Sequence, residues 1–437
     1  MATRPSVNES DLEAFDQILI RKFHDSLHIS QRQAAISHLL PSTTEGYINS
    51  ANVAGFHLGI GENILHSILP AIESAQKEVI LVTCFWARSA AQQHLADTLR
   101  RLAKRAQAEK RLVNVRICFS SLSIWQKLTH TRSLDGQTHD SGTWPKKFGL
   151  PKQSELLISQ QEGPTGVSLS VKSIFVMPFS VMHPKFVIID QQRGFLPSCN
   201  VSWEDWFEGC IVLQGGILRD FLDFYHHFWE RKNDFRSSNP LPEHEASSMQ
   251  PGQIHRYNFL ASAQLELASI PAIFLPSPHN SNPQFRPFWF QSPPAFPPTP
   301  LNIFLLALFN HAQHSIYIQT PNVTSPPVFS AIMAALQRGV DIRIVTSSRM
   351  MLLEQLVTAG TTTELCIHRL IKQYQRLIRD YQMYQQQLGT VEDGRSKPGD
   401  LQIRYYCSRK DTETSKEPVK SHLKLTIVDQ RIVVLGS

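Results

Sequence analysis

Met182-His183-Pro184-Lys185-Phe186-Val187-Ile188-Ile189-Asp190 reads as a β-strand with reactive side chains at its mouth. Its Val and Ile residues favour extended backbone. In a strand, residues i and i+2 share a face, so His183 and Lys185 are expected side by side, with Asp190 closing the run. One such stretch carries little weight, because a His and a Lys often do no more than mark a strand end. The stretch recurs, however, as Ser421-His422-Leu423-Lys424-Leu425-Thr426-Ile427-Val428-Asp429, with His, Lys and Asp at the same spacing. After six intervening residues, Asp190 is followed by Pro197-Ser198-Cys199-Asn200 and Asp429 by Gly436-Ser437. Matched spacing followed by matched small residues points to a duplicated functional unit.

The lead-ins are duplicated as well. Ala71-Ile72-Glu73-Ser74-Ala75-Gln76-Lys77-Glu78-Val79-Ile80-Leu81-Val82-Thr83 aligns with Leu308-Phe309-Asn310-His311-Ala312-Gln313-His314-Ser315-Ile316-Tyr317-Ile318-Gln319-Thr320. Arg111-Leu112-Val113-Asn114-Val115-Arg116-Ile117 is echoed by Arg338-Gly339-Val340-Asp341-Ile342-Arg343-Ile344. Each copy alternates helical and strand periodicity, which predicts an α/β fold. Residues 1–44 read as a helical N-terminal extension, with a cap at Ser10-Asp11-Leu12-Glu13 and an apolar stripe from Leu12 to Phe23. The first repeat then spans 45–233 and the second 301–437. Between them, 234–300 is a Pro-rich linker with some apolar content, and 121–166 reads as an irregular polar loop. A long amphipathic helix is expected over about 362–388, stopped by Gly389. The basic run Arg100, Arg101, Lys104, Arg105 and Lys110 reads as a solvated helix face.

Bulk properties bound the function. The 437 residues, 18% charged and 42% hydrophobic, describe a globular protein with chain enough for two or three domains. The net charge of +6 suits anionic partners such as phospholipid head groups or nucleic acid without choosing between them. The six cysteines show no CxxC spacing and read as reduced core residues. No apolar run is long enough to span a bilayer, and the acidic N-terminus argues against a presequence. The expected location is cytoplasmic, with peripheral membrane contact.

Paired histidines suit proton transfer and nucleophilic attack near neutral pH. In phosphodiester cleavage one imidazole would attack phosphorus to give a phosphohistidine. The other would protonate the leaving oxygen and then activate water or an alcohol. Two lysines with Asn donors would hold the non-bridging oxygens, so neither metal nor cofactor is called for. Asp190 and Asp429, at the far strand ends, are placed to orient side chains rather than react.

His183-x-Lys185-x4-Asp190 and His422-x-Lys424-x4-Asp429, with Ser198-x-Asn200 and Gly436-Ser437, resemble the paired HxKxxxxD motifs of the phospholipase D superfamily. The Ile318-Gln319-Thr320-Pro321-Asn322 segment and the preceding Pro-rich stretch make the chain similar to fungal phospholipase D/cardiolipin-synthase-like proteins. The resemblance implies two pseudo-symmetric α/β/α sandwich repeats packed around a shared active site. His183, Lys185, Asp190, His422, Lys424 and Asp429 would be the catalytic set, supported at the phosphate by Ser198, Asn200, Glu208 and Ser437. By analogy His183 is the nucleophile and His422 the general acid. A phospholipid is the implied substrate, with water or alcohol as acceptor, and two motifs in one chain imply a monomer. Pro197 departs from the usual Gly. The second copy lacks the Asn, strand and helix that follow Ser198 in the first, so the second repeat is expected to be truncated at its C-terminus. A nuclease of the same superfamily is the second reading. It is disfavoured because short superfamily nucleases carry one motif and because Asp190 and Asp429 are Asn in the tyrosyl-DNA phosphodiesterase branch. A non-catalytic scaffold is the third.

Overall fold

The computed structural model describes residues 17–27, 48–121, 133–161, 163–175, 183–230, 261–277, 296, 298–388, 396–408 and 418–436. The expected N-terminal cap, Gly389 and Ser437 lie outside them. The chain forms two compact units. One takes Asn49–Phe274, Tyr406–Lys424 and Gly436–Ser437; the other takes Met1–Ile48, Leu275–Tyr405 and Leu425–Leu435.

The first unit is built on a mixed sheet. Its strands are β1 (Ile48–Ile60), β2 (Glu78–Phe85), β3 (Leu112–Ser121), β4 (Ser133–Thr138), β5 (Leu157–Gln160), β6 (Gly163–Phe175), β7 (Phe186–Ile189), β8 (Arg193–Pro197), β9 (Trp206–Gln214) and β10 (Ala261–Ile273). They run in the order β10-β1-β9-β8-β7-β2-β3-β6-β4; β5 lies on β6, and β14 (Lys420–Ser421) lies on β9. Alternation along the strands divides the core in two. Val79, Leu81, Val115, Ile117, Val187 and Ile189 share one core with α2 (Gly61–Glu73) and α3 (Ala90–Ala108), through Ile64, Ile68, Leu99 and Leu102. Ile80, Val82, Phe186 and Ile188 belong to a second core with α4 (Ile217–Tyr225), through Ile217, Phe221 and Leu222. Every residue of β7 is buried, as expected of a strand covered on both faces. The result is an α/β/α sandwich.

In the other unit, residues 17–27 form helix α1, whose Phe23 meets Phe304 edge to face at 5.3 Å. The sheet contains β11 (Ser315–Gln319), β12 (Asp341–Thr346), β13 (Leu401–Tyr405), β15 (Lys424–Val428) and β16 (Ile432–Gly436), in the order β13-β12-β11-β15-β16. Ile316, Ile318, Ile342 and Ile344 are buried, as are Leu308 of α5 (Pro300–His311) and Ile332 and Leu336 of α6 (Pro326–Gln337). α7 (Leu352–Ala359) precedes the long α8 (Thr363–Leu388).

The duplicated sequence becomes a duplicated substructure. β2 pairs parallel with β3 and antiparallel with β7; β11 pairs parallel with β12 and antiparallel with β15. The motif aspartates do the same work in both copies. Asp190 accepts hydrogen bonds from the consecutive amides of Gln76 (2.8 Å), Lys77 (2.6 Å) and Glu78 (2.9 Å). Asp429 accepts from Gln313 (3.0 Å), His314 (2.7 Å) and Ser315 (2.8 Å). Each opens a tight turn with two successive positive φ angles: 51° and 58° at Asp190-Gln191, and 53° and 58° at Asp429-Gln430. Such a turn suits hairpins, and Asp tolerates its left-handed first position.

Three expectations are corrected. The 121–166 region holds β4, β5 and short helices rather than an irregular loop alone. The 234–300 linker contains β10, a largely exposed sheet strand whose alternation, Ala261-Ser262-Ala263-Gln264-Leu265-Glu266-Leu267, was outweighed by the Pro-rich chain on either side. Strand β7 begins at Phe186, after His183, because Pro184 has no N–H to give a ladder.

Removing the Asp190 carboxylate strands three amides at a helix–strand junction, and hydrogen bonds to charged groups contribute most among such contacts. Asp190→Ala is expected to lower stability in urea denaturation by about 2–3 kcal/mol, and Asp429→Ala by a similar amount.

Candidate active site

The side chains of both His–Lys pairs belong to the first unit, because that unit includes Tyr406–Lys424. β9 brings them together. The backbone of Lys420 and Ser421 pairs with Trp206 and Phe207. The Phe207 carbonyl then accepts from the amides of His422 (2.8 Å) and Leu423 (3.1 Å). A Cβ at Gly209 would come within 2.7 Å of the Leu423 side chain, so the glycine lets Leu423 pack this closely without shifting. His422 thereby lies with its ring centroid 6.5 Å from that of His183.

Each lysine reaches back to its own histidine. Lys185 Nζ is 3.1 Å from His183 Nδ1 and 3.4 Å from Nε2. Lys424 Nζ is 3.2 Å from His422 Nε2 and 3.1 Å from the His422 carbonyl, to which it donates. Lys185 is fully buried, which places a fixed positive charge inside the fold.

Glu208 balances part of that charge. Its carboxylate, also buried, accepts from the Ser198 hydroxyl and meets His422 Nδ1 at 2.9 Å. Ser198 is held in turn by the Gly209 amide at 2.9 Å. Burial pushes the Glu208 carboxyl up, but His422, Lys424 and Ser198 outweigh it and hold the pKa below the usual range. Burial, with the charge of Lys424 and then Lys185, lowers His422 to about 4 against the opposing pull of Glu208. An ionised Glu208 requires His422 Nδ1 to donate; the lowered pKa leaves the ring neutral near pH 7, so its lone pair sits on Nε2, 3.2 Å from Lys424 Nζ.

The site residues expected from sequence therefore divide. His183, Lys185, His422, Lys424, Ser198 and Glu208 form a connected cluster. Asn200 stands beside it, its side-chain oxygen accepting from the Phe85 amide at 3.1 Å, so any donation to a phosphate comes from its NH2 end. Asp190 and Asp429 are occupied at helix–strand junctions, and Asp190 is about 20 Å along an extended chain from His183. Ser437 lies outside the described residues. Trp206 carried no assigned role, yet its ring centroid is 4.9 Å from that of His422. Its sequence signal is its place two residues before Glu208. Among the described residues, the one group of possible metal ligands lies elsewhere, at Glu62, His66 and His94.

Residues 305–437 match the family model described as "Cardiolipin synthase, PLD-like domain". No curated protein matches the chain significantly. Phosphatidylserine synthase from Haemophilus influenzae Rd KW20 is a similar solved structure at 14% identity, covering 91% of this chain and 82% of its own, with a TM-score of 0.43. NucT from Helicobacter pylori is 17% identical over 40% of this chain and 95% of its own (TM-score 0.24). The phospholipase D family member Nuc from Salmonella typhimurium is 15% identical over 42% and 98% (TM-score 0.25). With every TM-score below 0.5, these likenesses add no weight to the geometry.

The buried histidine has a consequence for stability. Its folded pKa lies below the unfolded value, so between pH 6.5 and about 4 the unfolded chain binds more protons and stability falls as pH drops. Wild type is expected to lose on the order of 3 kcal/mol across that window relative to His422→Gln. Chemical denaturation at a series of pH values measures the difference.

Proposed function

With residues 305–437 taken as a phospholipase D-like domain of the cardiolipin synthase type, we propose that the chain is a phosphodiesterase or phosphatidyltransferase acting on phospholipids through a phosphohistidine. The observation that carries this reading is the opposed His183 and His422 rings, each with its own lysine and one with a buried carboxylate.

The environments of the two rings support a division of roles. His422 is buried, neutral and fixed by Glu208 with the lone pair on Nε2, which is the form a nucleophile needs. His183 is half-exposed and can exchange protons with solvent. The order is thus the reverse of the one that family analogy implies. His422 Nε2 attacks phosphorus, the P–N bond forms and the P–O bond to the head group breaks. Protonated His183 gives its proton to the leaving oxygen. Neutral His183 then takes a proton from water or an alcohol, whose oxygen attacks phosphorus, breaks the P–N bond and restores both rings. Lys185 and Lys424 turn from their histidines to the non-bridging oxygens, where negative charge develops. The NH2 end of Asn200 adds a neutral donor. Trp206 shields the His422 ring from water on one side.

Incubation with a labelled phospholipid and a primary alcohol is expected to yield a phosphatidyl alcohol, abolished in His183→Ala and in His422→Ala. Cleavage of single-stranded DNA without lipid turnover would instead assign a nuclease, and silence on both would assign a scaffold.

A p-nitrophenyl phosphodiester, whose leaving group needs no proton, separates the roles. His183→Ala should then lose less than about 10-fold in the release step, while His422→Ala loses about 10³-fold or more. The opposite ranking would make His183 the nucleophile.

A further inference from the structure

A second cluster of chemically capable side chains lies between α2 and α3 and plays no part in the proposed reaction. Glu62 and His66 stand one turn apart on α2, a spacing that puts both on one face. His94 comes from α3. His66 Nε2 and His94 Nδ1 are 2.5 Å apart, and their ring centroids are separated by 4.2 Å at an interplanar angle of 75°. One ligand atom from each of the three residues lies within 4.8 Å of the others, and all three side chains are half-buried.

We propose that Glu62, His66 and His94 form a binding site for a divalent transition-metal ion, with Zn2+ as the chemistry that fits best. Two imidazole nitrogens and one carboxylate oxygen are a borderline donor set of the kind zinc takes, and a water completes the tetrahedron. Zinc–nitrogen bonds of about 2.0–2.1 Å put neighbouring ligand atoms a little over 3 Å apart. The two histidine nitrogens therefore have to separate by less than about 1 Å, a small rotation of either ring. Half-burial leaves an entry path and room for the water. Two aromatic nitrogens pointed at one another at 2.5 Å are closer than the usual N–H···N range, which a shared cation relieves.

The position gives the ion a structural role. It would tie α2 to α3 beside the apolar contacts of Leu65, Ile68, Leu95 and Leu99. The start of α2 also backs the loop bearing Ser198 and Asn200. Cys199 Sγ lies 3.7 Å from the Gly61 carbonyl, and a Cβ at Gly61 would meet Cys199 Cβ at 3.1 Å. Fixing α2 therefore fixes the floor under that loop.

The test uses the full chain, stripped with a chelator and titrated with Zn2+ against a chromophoric competitor, and with Co2+ for its visible absorption. One equivalent is expected to bind, with the Co2+ band of a tetrahedral site and an upward shift of the thermal transition. His94→Ala should weaken Zn2+ binding about 100-fold or more and Glu62→Gln about 10-fold, with unchanged far-ultraviolet circular dichroism. Cys407→Ser, which removes an exposed thiol, should change nothing. If His94→Ala fails to fold, Glu62→Gln decides, since it leaves both imidazoles in place. Absence of stoichiometric binding, or binding indifferent to both substitutions, would reduce the pair to a His–His hydrogen bond and overturn the proposal.

Discussion

The arrangement of the candidate site depends on one buried carboxylate. Glu208 sits on β9, a strand whose neighbours include the segment that delivers His422. An ionised carboxylate in such a place is costly unless its oxygens are occupied. Here Ser198 and His422 occupy them, and Lys424 supplies a compensating charge. The carboxylate consequently does three things at once. It holds the loop after β8 through Ser198, fixes the tautomer of His422, and joins residues separated by more than two hundred positions in the chain.

The two motif aspartates solve a different problem. A strand that carries a His–Lys pair at one end needs its register fixed at the other, because a one-residue slip would reverse every side chain. Asp190 and Asp429 fix it by clasping three successive amides of the adjacent lead-in. The fixed His-x-Lys-x4-Asp spacing is then the length of strand between a reactive end and an anchored end. One motif thus combines a polar His–Lys end with registration, and its aspartate bears on that end only through the position of the strand.

Most of this was legible in sequence because duplication doubles the signal. Alternating Val and Ile in both copies marked the central strands, and the repeated His, Lys and Asp marked the site. The grouping of Ser198, Asn200 and Glu208 near it was also legible from the resemblance. Other features had no local signature. β10 is mainly exposed and short of bulky apolar residues in its first half, and it is flanked by Pro-rich chain, so it read as linker. The contact of Trp206 with His422 and the carbonyl of Phe207 that anchors the second motif arise from pairing across the sheet. Glu62 and His66 went unread, and their partner His94 lies on the next helix, beyond what spacing can reveal.

The same sheet also explains why two chemically identical motifs end in different surroundings. His422 is tucked against β9, stripped of water and flanked by two ammonium groups, so its proton is expelled. His183 precedes β7 at Pro184, remains half-exposed, and lies against a single lysine. Phosphoryl transfer through a histidine requires one imidazole to begin with a lone pair and the other to begin with a proton. Two rings in equivalent surroundings would compete for the same proton state. Unequal burial, set by which strand each motif enters, gives the two rings unequal surroundings.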